Sequence, residues 1–219
     1  MNNRLLLLTG LALSSPAWGT LYLGIGAGVD TADYRQRAVI TNEDAKAINE
    51  AYFAAQGGMA SIFLGYGRYY YQRFYLAGEL SGSLSDAFFR GFNVELRKGA
   101  QSHTLYQIDH NWGVSLLPGY LVTDSTLLYG RAGYSDGRFI IRTTDISLAS
   151  GTTWLNGFRA GVGIEKFITP KFAIRLEYNH IVYAMRTDTT IDPLSNTTKT
   201  TVVTPNTNQF EFDVDYHFT

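Results

Sequence analysis

The most regular feature of the chain is an alternation of apolar and polar residues with a period of two. This pattern is typical of a β-strand with one apolar and one polar face. The C-terminal segment shows it most clearly, and its apolar set is Phe210, Phe212, Val214, Tyr216 and Phe218. The positions between these residues carry Glu211, Asp213, Asp215 and His217. Eight such segments predict an all-β fold, an eight-stranded antiparallel barrel.

The connections between the predicted strands alternate in length. The strands lie roughly at 21–29, 61–67, 74–81, 112–120, 128–134, 158–165, 172–179 and 210–218. Short turns are expected around 69–73, 123–125 and 169–170, and long loops around 30–57, 84–110, 135–152 and 184–208. Short turns on one rim and long loops on the other are typical of outer-membrane barrels, whose long loops face outside. An even strand number then places both chain ends on the short-turn rim, in the periplasm.

Three local structures are expected in the connections. In the first long loop, Thr41 with Asp44 resembles a helix cap, and helical spacing follows from residue 48 to residue 55. In the fourth, the threonine-rich stretch 187–204 predicts a hairpin that projects beyond the membrane. The turn near Pro170 should have an odd number of residues, most simply 168–170, because only that parity keeps Glu165 and Arg175 on one face.

The N-terminus has the features of a secretory signal. Arg4 precedes an apolar run over residues 5–13, and Ala17 and Gly19 are small residues at the positions that a signal peptidase reads. The run is shorter than the ~20 residues that a membrane-spanning helix needs. We therefore predict a signal peptide over residues 1–19 and a barrel domain over residues 20–219. No cysteine is present, so no disulfide is possible.

Alternation alone does not decide which face of the barrel is wet. A soluble barrel has its apolar face inside, whereas a membrane barrel has it outside. The export signal, the alternating loop lengths and the aromatic residues near strand ends favour the membrane arrangement. In that arrangement eight charged residues point inward: Glu79, Arg131, Arg159, Glu165, Arg175, Glu177, Glu211 and Asp213. We expect a salt-bridged structural plug, because eight strands leave room only for side chains; the alternative is a proton or ion path.

The chain has little sign of catalytic or metal chemistry. Its four histidines are His103, His110, His180 and His217. His180 shares the lipid-facing parity and has no serine near it on that face, so an interfacial role is favoured over catalysis. No metal-ligand cluster is apparent and no cofactor is expected. The net charge of −1 argues against nucleic acid as a partner.

Several short runs resemble those of the OmpA-like and Opa-like surface-antigen group of small outer-membrane barrels. The runs lie at residues 64–67, 76–80, 117–120, 129–134, 161–165 and 176–178, and the segment 210–218 is similar to the family's assembly signal. Thr219 departs from the pattern, because the family usually ends on phenylalanine. The peptidoglycan-binding domain that follows the barrel in OmpA is not expected, because this chain stops at the last strand.

The resemblance implies a surface protein of a Gram-negative outer membrane, structural or adhesin-like, that acts through its extracellular loops. Its expected partners are outer-membrane lipid and lipopolysaccharide, the barrel-assembly machinery through the terminal strand, and an extracellular ligand or host surface. Two alternatives stay open: a narrow porin-like channel, and a membrane hydrolase that modifies lipid A. Conductance would identify the first, and a change in the mass of lipid A the second.

Overall fold

The protein is built almost entirely from long antiparallel strands. A computed structural model describes residues 19–42, 46–94, 101–144, 149–192 and 197–218. Its strands are β1 Thr20–Thr41, β2 Lys46–Tyr70, β3 Phe74–Ser85, β4 Phe88–Val94, β5 Gln101–Thr123, β6 Thr126–Thr143, β7 Gly151–Phe167, β8 Phe172–Tyr183, β9 Arg186–Asp192 and β10 Thr197–Phe218. In these ranges no helix has the length and apolar character needed to cross a bilayer.

Eight of the strands close into a ring. The order β1-β2-β3-β5-β6-β7-β8-β10 returns to β1 through an additional β1–β10 pairing, which confirms the predicted eight-stranded barrel. The two remaining strands, β4 and β9, lie outside the ring order and pair with β5 and β10 respectively. The β1–β10 ladder runs from Leu21–Phe218 to Thr41–Thr198, the whole length of both strands.

One half of the ring has its apolar side chains outside. We call it the membrane-spanning half, and it comprises residues 20–30, 57–67, 74–84, 110–122, 127–136, 156–166, 172–182 and 208–218. Its outward positions carry exposed apolar residues such as Ile25, Ile62, Val114 and Phe212, whereas its inward positions are buried or half-buried. A strand needs about 9–11 residues to cross a bilayer, and each of these segments is at least that long.

The strands do not end where the apolar outer band ends. Beyond it β1, β2, β9 and β10 form one four-stranded sheet, and β4, β5, β6 and β7 form another. Among the described strands no ladder joins β2 to β4 or β7 to β9, so the ring splits along two seams. The two sheets face each other across a shared apolar core. We call this part the outer extension.

One expectation about the long connections was wrong. The four connections are long, as expected, and their described parts are mostly strand. The stretch 48–55, expected to be helical, lies in β2 paired with β1. In β2 the helical set divides between the two faces, since Ile48 and Tyr52 are exposed while Ala55 is buried. Pairing along all 22 residues of β1 outweighs the weak helical preference of the segment. Asp44, part of the expected cap, lies outside the described residues.

The other local expectations fared better. The hairpin expected at 187–204 is formed by β9 and β10, which pair from Arg186–Val203 to Asp192–Thr197. Residues 193–196, between the two strands, lie outside the described residues. The odd parity of the turn between β7 and β8 is confirmed, because Glu165 pairs with Arg175. The turn is longer than expected, because the last pair is Phe167–Ala173. The predicted signal peptide, apart from Gly19, is also outside the described residues.

Candidate functional site

In the described part of the chain, most buried charged side chains lie in the enclosed interior of the barrel. All eight charged residues expected to point inward are buried, the most exposed being Glu211 at 7%. They come from β3, β6, β7, β8 and β10, so the ring brings together residues that are up to 134 positions apart, from Glu79 to Asp213. An enclosed charge is costly unless it is paired, so the contacts of each residue decide what the interior can do.

Glu79 is the centre of the ion-pair network. One carboxylate oxygen accepts a hydrogen bond of 2.6 Å from Arg131, and the other accepts one of 2.9 Å from Arg175. Arg131 also donates to Glu177 over 2.9 Å, and Arg175 donates to Glu165 over 3.2 Å. These contacts connect β3 with β6 and with β8 across the lumen, and they therefore stabilise the barrel wall from inside.

Aromatic side chains surround the guanidinium group of Arg175. Its central carbon lies 4.5 Å from the ring centroid of Phe63, 5.4 Å from that of Tyr22 and 5.3 Å from that of Tyr129. A cation at this distance from a ring face is stabilised by the negative face of the ring. This contact with Arg175 explains why Phe63, an apolar residue, lies at an inward position of β2.

The tyrosines of the network lie over glycines of the neighbouring strands. Tyr22 donates a 3.0 Å hydrogen bond to Glu79, and Tyr129 donates one to Glu177. A Cβ atom at Gly65 would lie 2.1 Å from the Tyr22 ring, and one at Gly163 would lie 2.3 Å from the Tyr129 ring. Glycine is therefore required at both positions, because any side chain there would displace a tyrosine that binds a buried carboxylate.

Arg159 is bound by neutral groups. It donates to the side chains of Ser81 over 2.9 Å, Asn111 over 2.8 Å and Ser135 over 3.3 Å. The void beside it has a volume of about 10 Å³ and is also lined by Glu211 and Asp213. That volume admits on the order of one water molecule. Side chains therefore fill this level of the lumen.

A second, apolar layer closes the lumen above the charged network. The core of the outer extension combines residues of both sheets and of β8: Ala32, Tyr34, Ala55, Ala87, Tyr106, Ile108, Phe139, Ile141, Leu155, Ile181, Tyr183 and Val203. The ring centroids of Tyr34 and Phe139 are 6.0 Å apart, and those of Phe53 and Phe89 are 4.5 Å apart. Burial raises the pKa of Tyr34 above its ordinary value, so the layer carries no phenolate charge near neutral pH.

A third group near the short-turn rim was missed by the sequence analysis. Glu165, Asp215 and His217 are buried together, although no metal-ligand cluster was expected. His217 Nε2 lies 2.9 Å from an oxygen of Asp215 and 3.4 Å from one of Glu165. The signal that could have found this group is the inward parity of both residues on β10 combined with the β7–β8–β10 register.

The other residues singled out from the sequence lie on the outer surface. Phe210, Phe212, Val214 and Phe218 of the terminal strand are exposed where the bilayer would be, and Tyr216 is half-buried on the same face. His180 forms a 2.8 Å hydrogen bond with the Asn208 side chain. On the outer extension, Asp109 lies 3.0 Å from His110 and also binds Arg138.

The outer face of β1 and β2 in the extension combines arginines with an aromatic residue. Arg35 and Arg37 bind Glu50 at 3.3 and 3.4 Å. The guanidinium of Arg35 lies 5.6 Å from the ring centroid of Tyr52, which is 69% exposed. Ile48 on the same strand is 51% exposed. This face thus leaves two large apolar side chains exposed beyond the lipid-facing band.

The closed ring, its apolar outer band and its charged lumen define the class as a bacterial outer-membrane β-barrel. The chain belongs to the outer membrane protein beta-barrel domain family, which matches residues 5–218. A search of the curated proteins finds no match. The predicted family resemblance and outer-membrane placement are thereby confirmed.

Solved structures of outer-membrane proteins are similar to this chain at low sequence identity. The OprG outer membrane protein of Pseudomonas aeruginosa is 10% identical with a TM-score of 0.51, over 92% of this chain and 97% of that chain. The OmpT outer membrane protease of Escherichia coli is 10% identical with a TM-score of 0.50, over 94% and 99%. The Ail attachment invasion locus protein of Yersinia pestis, in complex with a heparin analogue, is 14% identical with a TM-score of 0.43, over 92% and 99%.

Proposed function

We propose that this outer-membrane barrel is a non-catalytic surface protein, adhesin-like, that binds its partner through the outer extension. The observation that carries the proposal is the double closure of the interior, by the charged network and by the apolar core. With the lumen filled, the exterior of the extension is the part of the protein best placed to meet another molecule. In this proposal the chain ends face the periplasm, the lipid-facing band contacts lipid and lipopolysaccharide, and the assembly machinery recognises the terminal strand.

The outer face of β1 and β2 supports a binding role. Tyrosine and arginine are enriched among the residues that carry most of the binding energy at protein interfaces. Here Arg35 and Tyr52 are stacked, and Glu50 holds two arginines in place. Exposed apolar residues outside the membrane, such as Ile48 and Tyr52, are typical of interaction surfaces when they lie together.

Adhesion of whole cells tests the proposal. Gram-negative cells that display the wild-type chain should bind a monolayer of cultured epithelial cells in larger numbers than cells with an empty vector. The double variant Arg35→Ser with Tyr52→Ser should lose most of this gain, because it removes the stacked pair. Counting bound cells after washing gives the measurement.

A second double variant serves as the matched control. Arg142→Ser with Trp154→Ser changes the same kinds of exposed residue on the other sheet of the extension. It should retain adhesion if the β1–β2 face is the binding surface. All variants should be folded, which a shift in gel mobility on boiling shows. Wild-type adhesion equal to that of the empty vector would overturn the proposal.

Planar-bilayer recording separates this function from that of a channel. The filled lumen should give no large steady conductance, because a void of about 10 Å³ admits on the order of one water molecule. Stable currents on the scale of a general porin would contradict the closed interior. The hydrolase alternative predicts a change in the mass of lipid A on expression, and we expect none.

A further inference from the structure

We propose that Glu165, Asp215 and His217 form a binding site for one divalent transition-metal ion at the short-turn end of the lumen. This site is independent of the proposed surface-binding function. The three side chains come from β7 and β10, and their potential ligand atoms all lie within 4.8 Å of one another. All three residues are buried, at 1%, 1% and 6% exposure.

The separations between the donor atoms suit a shared ion. His217 Nε2 is 2.9 Å from Asp215 Oδ2 and 3.4 Å from Glu165 Oε1. Nitrogen and oxygen ligands of zinc lie about 2.0–2.2 Å from the ion, so two ligands of one tetrahedral ion are about 3.4 Å apart. Two ligands at a right angle would be about 3.0 Å apart. The 3.4 Å separation equals the tetrahedral value, and the 2.9 Å separation is close to the right-angle value.

Both carboxylates also carry an oxygen without a hydrogen-bond partner. Arg175 binds Glu165 through Oε2 at 3.2 Å and lies 3.6 Å from Oδ2 of Asp215. Oε1 of Glu165 and Oδ1 of Asp215 are buried and accept no hydrogen bond. A buried oxygen of this kind calls for an explanation, because such groups are normally satisfied by a donor or an ion. A metal ion bound by Oε1 of Glu165 would satisfy that oxygen, and one bound by both oxygens of Asp215 would also satisfy Oδ1.

The charge balance of the lumen favours an added cation. Among the described residues the buried carboxylates are Asp30, Glu79, Glu165, Glu177, Glu211, Asp213 and Asp215. The buried guanidinium groups are Arg131, Arg159 and Arg175. The lumen therefore contains more buried acidic groups than guanidinium groups, and a divalent ion would add positive charge beside two of the acidic groups.

The surroundings hold the imidazole in one orientation. The ring of His217 stacks on Tyr22 with centroids 5.3 Å apart, and it contacts Phe167 at 5.0 Å. The backbone N–H of His217 donates to the carbonyl of Lys171, which belongs to the short turn after β7. The site therefore lies close to the short-turn rim.

The donor set selects the kind of metal. One imidazole with two carboxylates suits Zn²⁺, Co²⁺ and Mn²⁺, since imidazole disfavours the hard ions Mg²⁺ and Ca²⁺. Three protein ligands leave at least one coordination position for water, as in open zinc sites. No redox step is implied, and the ion would stabilise the rim of the barrel.

Titration with Co²⁺ tests the site in the folded, untagged protein in detergent. The wild type should bind one equivalent, seen as visible absorption bands that Zn²⁺ abolishes. His217→Ala and Asp215→Asn should each weaken binding by at least the roughly 10–100-fold that loss of an outer-shell partner costs. His180→Ala is the matched control, because it removes a histidine from the outer surface, and its affinity should equal that of the wild type.

A measurement on the wild type alone covers the case in which a variant fails to fold. Substoichiometric Mn²⁺ should broaden the amide resonances of residues 165–167 and 215–217 and leave those around His180 sharp. The proposal is overturned if the wild type takes up no Co²⁺. It is equally overturned if folded His217→Ala binds Co²⁺ as tightly as the wild type, or if the broadening centres elsewhere.

Discussion

The same strands have their apolar residues on opposite faces in the two halves of the molecule. On β1, the membrane-spanning half has Ile25 and Val29 exposed and Tyr22 and Asp30 buried inside. In the outer extension of the same strand, Tyr34 and Ala38 are buried inside, whereas Arg35 and Arg37 lie outside. The apolar face thus changes from the outside to the inside of the barrel along one continuous strand.

This difference shows that the surrounding solvent, and not the strand, decides which face is apolar. Lipid outside requires an apolar exterior, and the interior then holds charges that pair with one another. Water outside permits a polar exterior, and the interior closes by burial of apolar area, as in two sheets packed face to face. This contrast leads to four testable expectations.

The charged network should tolerate loss of its central cation least. Arg175→Met keeps much of the side-chain volume but leaves Glu79 and Glu165 without their shared cation. Removal of one partner from a buried ion pair costs about 3–5 kcal/mol. We expect this loss in the free energy of unfolding by urea in lipid vesicles. Arg138→Met, on the surface of the extension, should change it little, and an equal loss in both variants would contradict the contrast.

A charge on the outer face should be harmful in one half only. Ile62 and Ile48 are outward residues of β2, exposed at 55% and 51%, in the membrane-spanning half and the extension respectively. Ile62→Arg should cost about 2–4 kcal/mol, the range for arginine at the bilayer midplane. Ile48→Arg should stay within about 0.5 kcal/mol, as most surface substitutions do. The yield of folded barrel after refolding ranks the two variants. A lower yield for Ile48→Arg than for Ile62→Arg would mean that the membrane surrounds the extension and not the half assigned to it.

Loss of one methylene group should lower the free energy of unfolding more in the extension, where no lipid can fill the void, than on the lipid-facing band. Ile141 is 1% exposed in the apolar core of the extension, whereas Ile174 is 36% exposed on the lipid-facing band. Ile141→Val should cost about 0.5–1.5 kcal/mol, the usual loss for a buried methylene group. Ile174→Val should cost less, because acyl chains adapt to the missing group. Equal losses in urea unfolding would mean that the core of the extension is loosely packed.

The smallest effect is a pH dependence of the extension. Although partial burial acts in the opposite direction, hydrogen bonds from Arg138 and His110 and their positive charge lower the pKa of Asp109 below its ordinary value. A carboxylate whose pKa is lower in the folded state stabilises that state above its unfolded pKa of about 3.9. This contribution is lost as the pH falls through the lower, folded value.

Thermal unfolding of the wild type and of Asp109→Asn measures that contribution. The difference in stability should be constant above about pH 5 and shrink in more acidic solution. The effect should be small, because an exposed ion pair is screened by solvent. A difference that grows on acidification would show that Asp109 is not held as a carboxylate.

Much of the membrane-spanning half is predictable from the sequence, because its alternation is regular and its turns are short. Glu165 and Arg175 could be paired from the parity of a single hairpin, and they are 3.2 Å apart. The outer extension is harder to predict, because the outer face of β1 ceases to be apolar after Val29, where Thr31 and Asp33 follow, and the strand then resembles a loop. In β2 the spacing of Ile48, Tyr52 and Ala55 even resembles a helix, since a local pattern contains no information about the distant strand that pairs with it.

The metal-binding group illustrates the same limit at a site. Asp215 and His217 are two residues apart and share the inward face, which the sequence shows. Glu165 lies 50 positions earlier, and it reaches them only because β8 pairs with both β7 and β10. The parity of a hairpin predicts which residues of two adjacent strands share a face. Prediction of this cluster requires the register across two interfaces of the closed ring, β7–β8 and β8–β10.

The long β1–β10 ladder has a consequence for how the molecule folds. It joins the first and last strands through 21 residue pairs, from Leu21–Phe218 to Thr41–Thr198, and it runs through both halves. Contacts between residues so far apart in sequence carry a large loop-closure entropy, and folding slows as such contacts become dominant. We therefore expect closure of this ladder to be the slow, late step of folding. Because the ladder is continuous, the same event closes the barrel wall and pairs β1 with β10 in the outer sheet. The barrel and its extension should accordingly gain their final stability together.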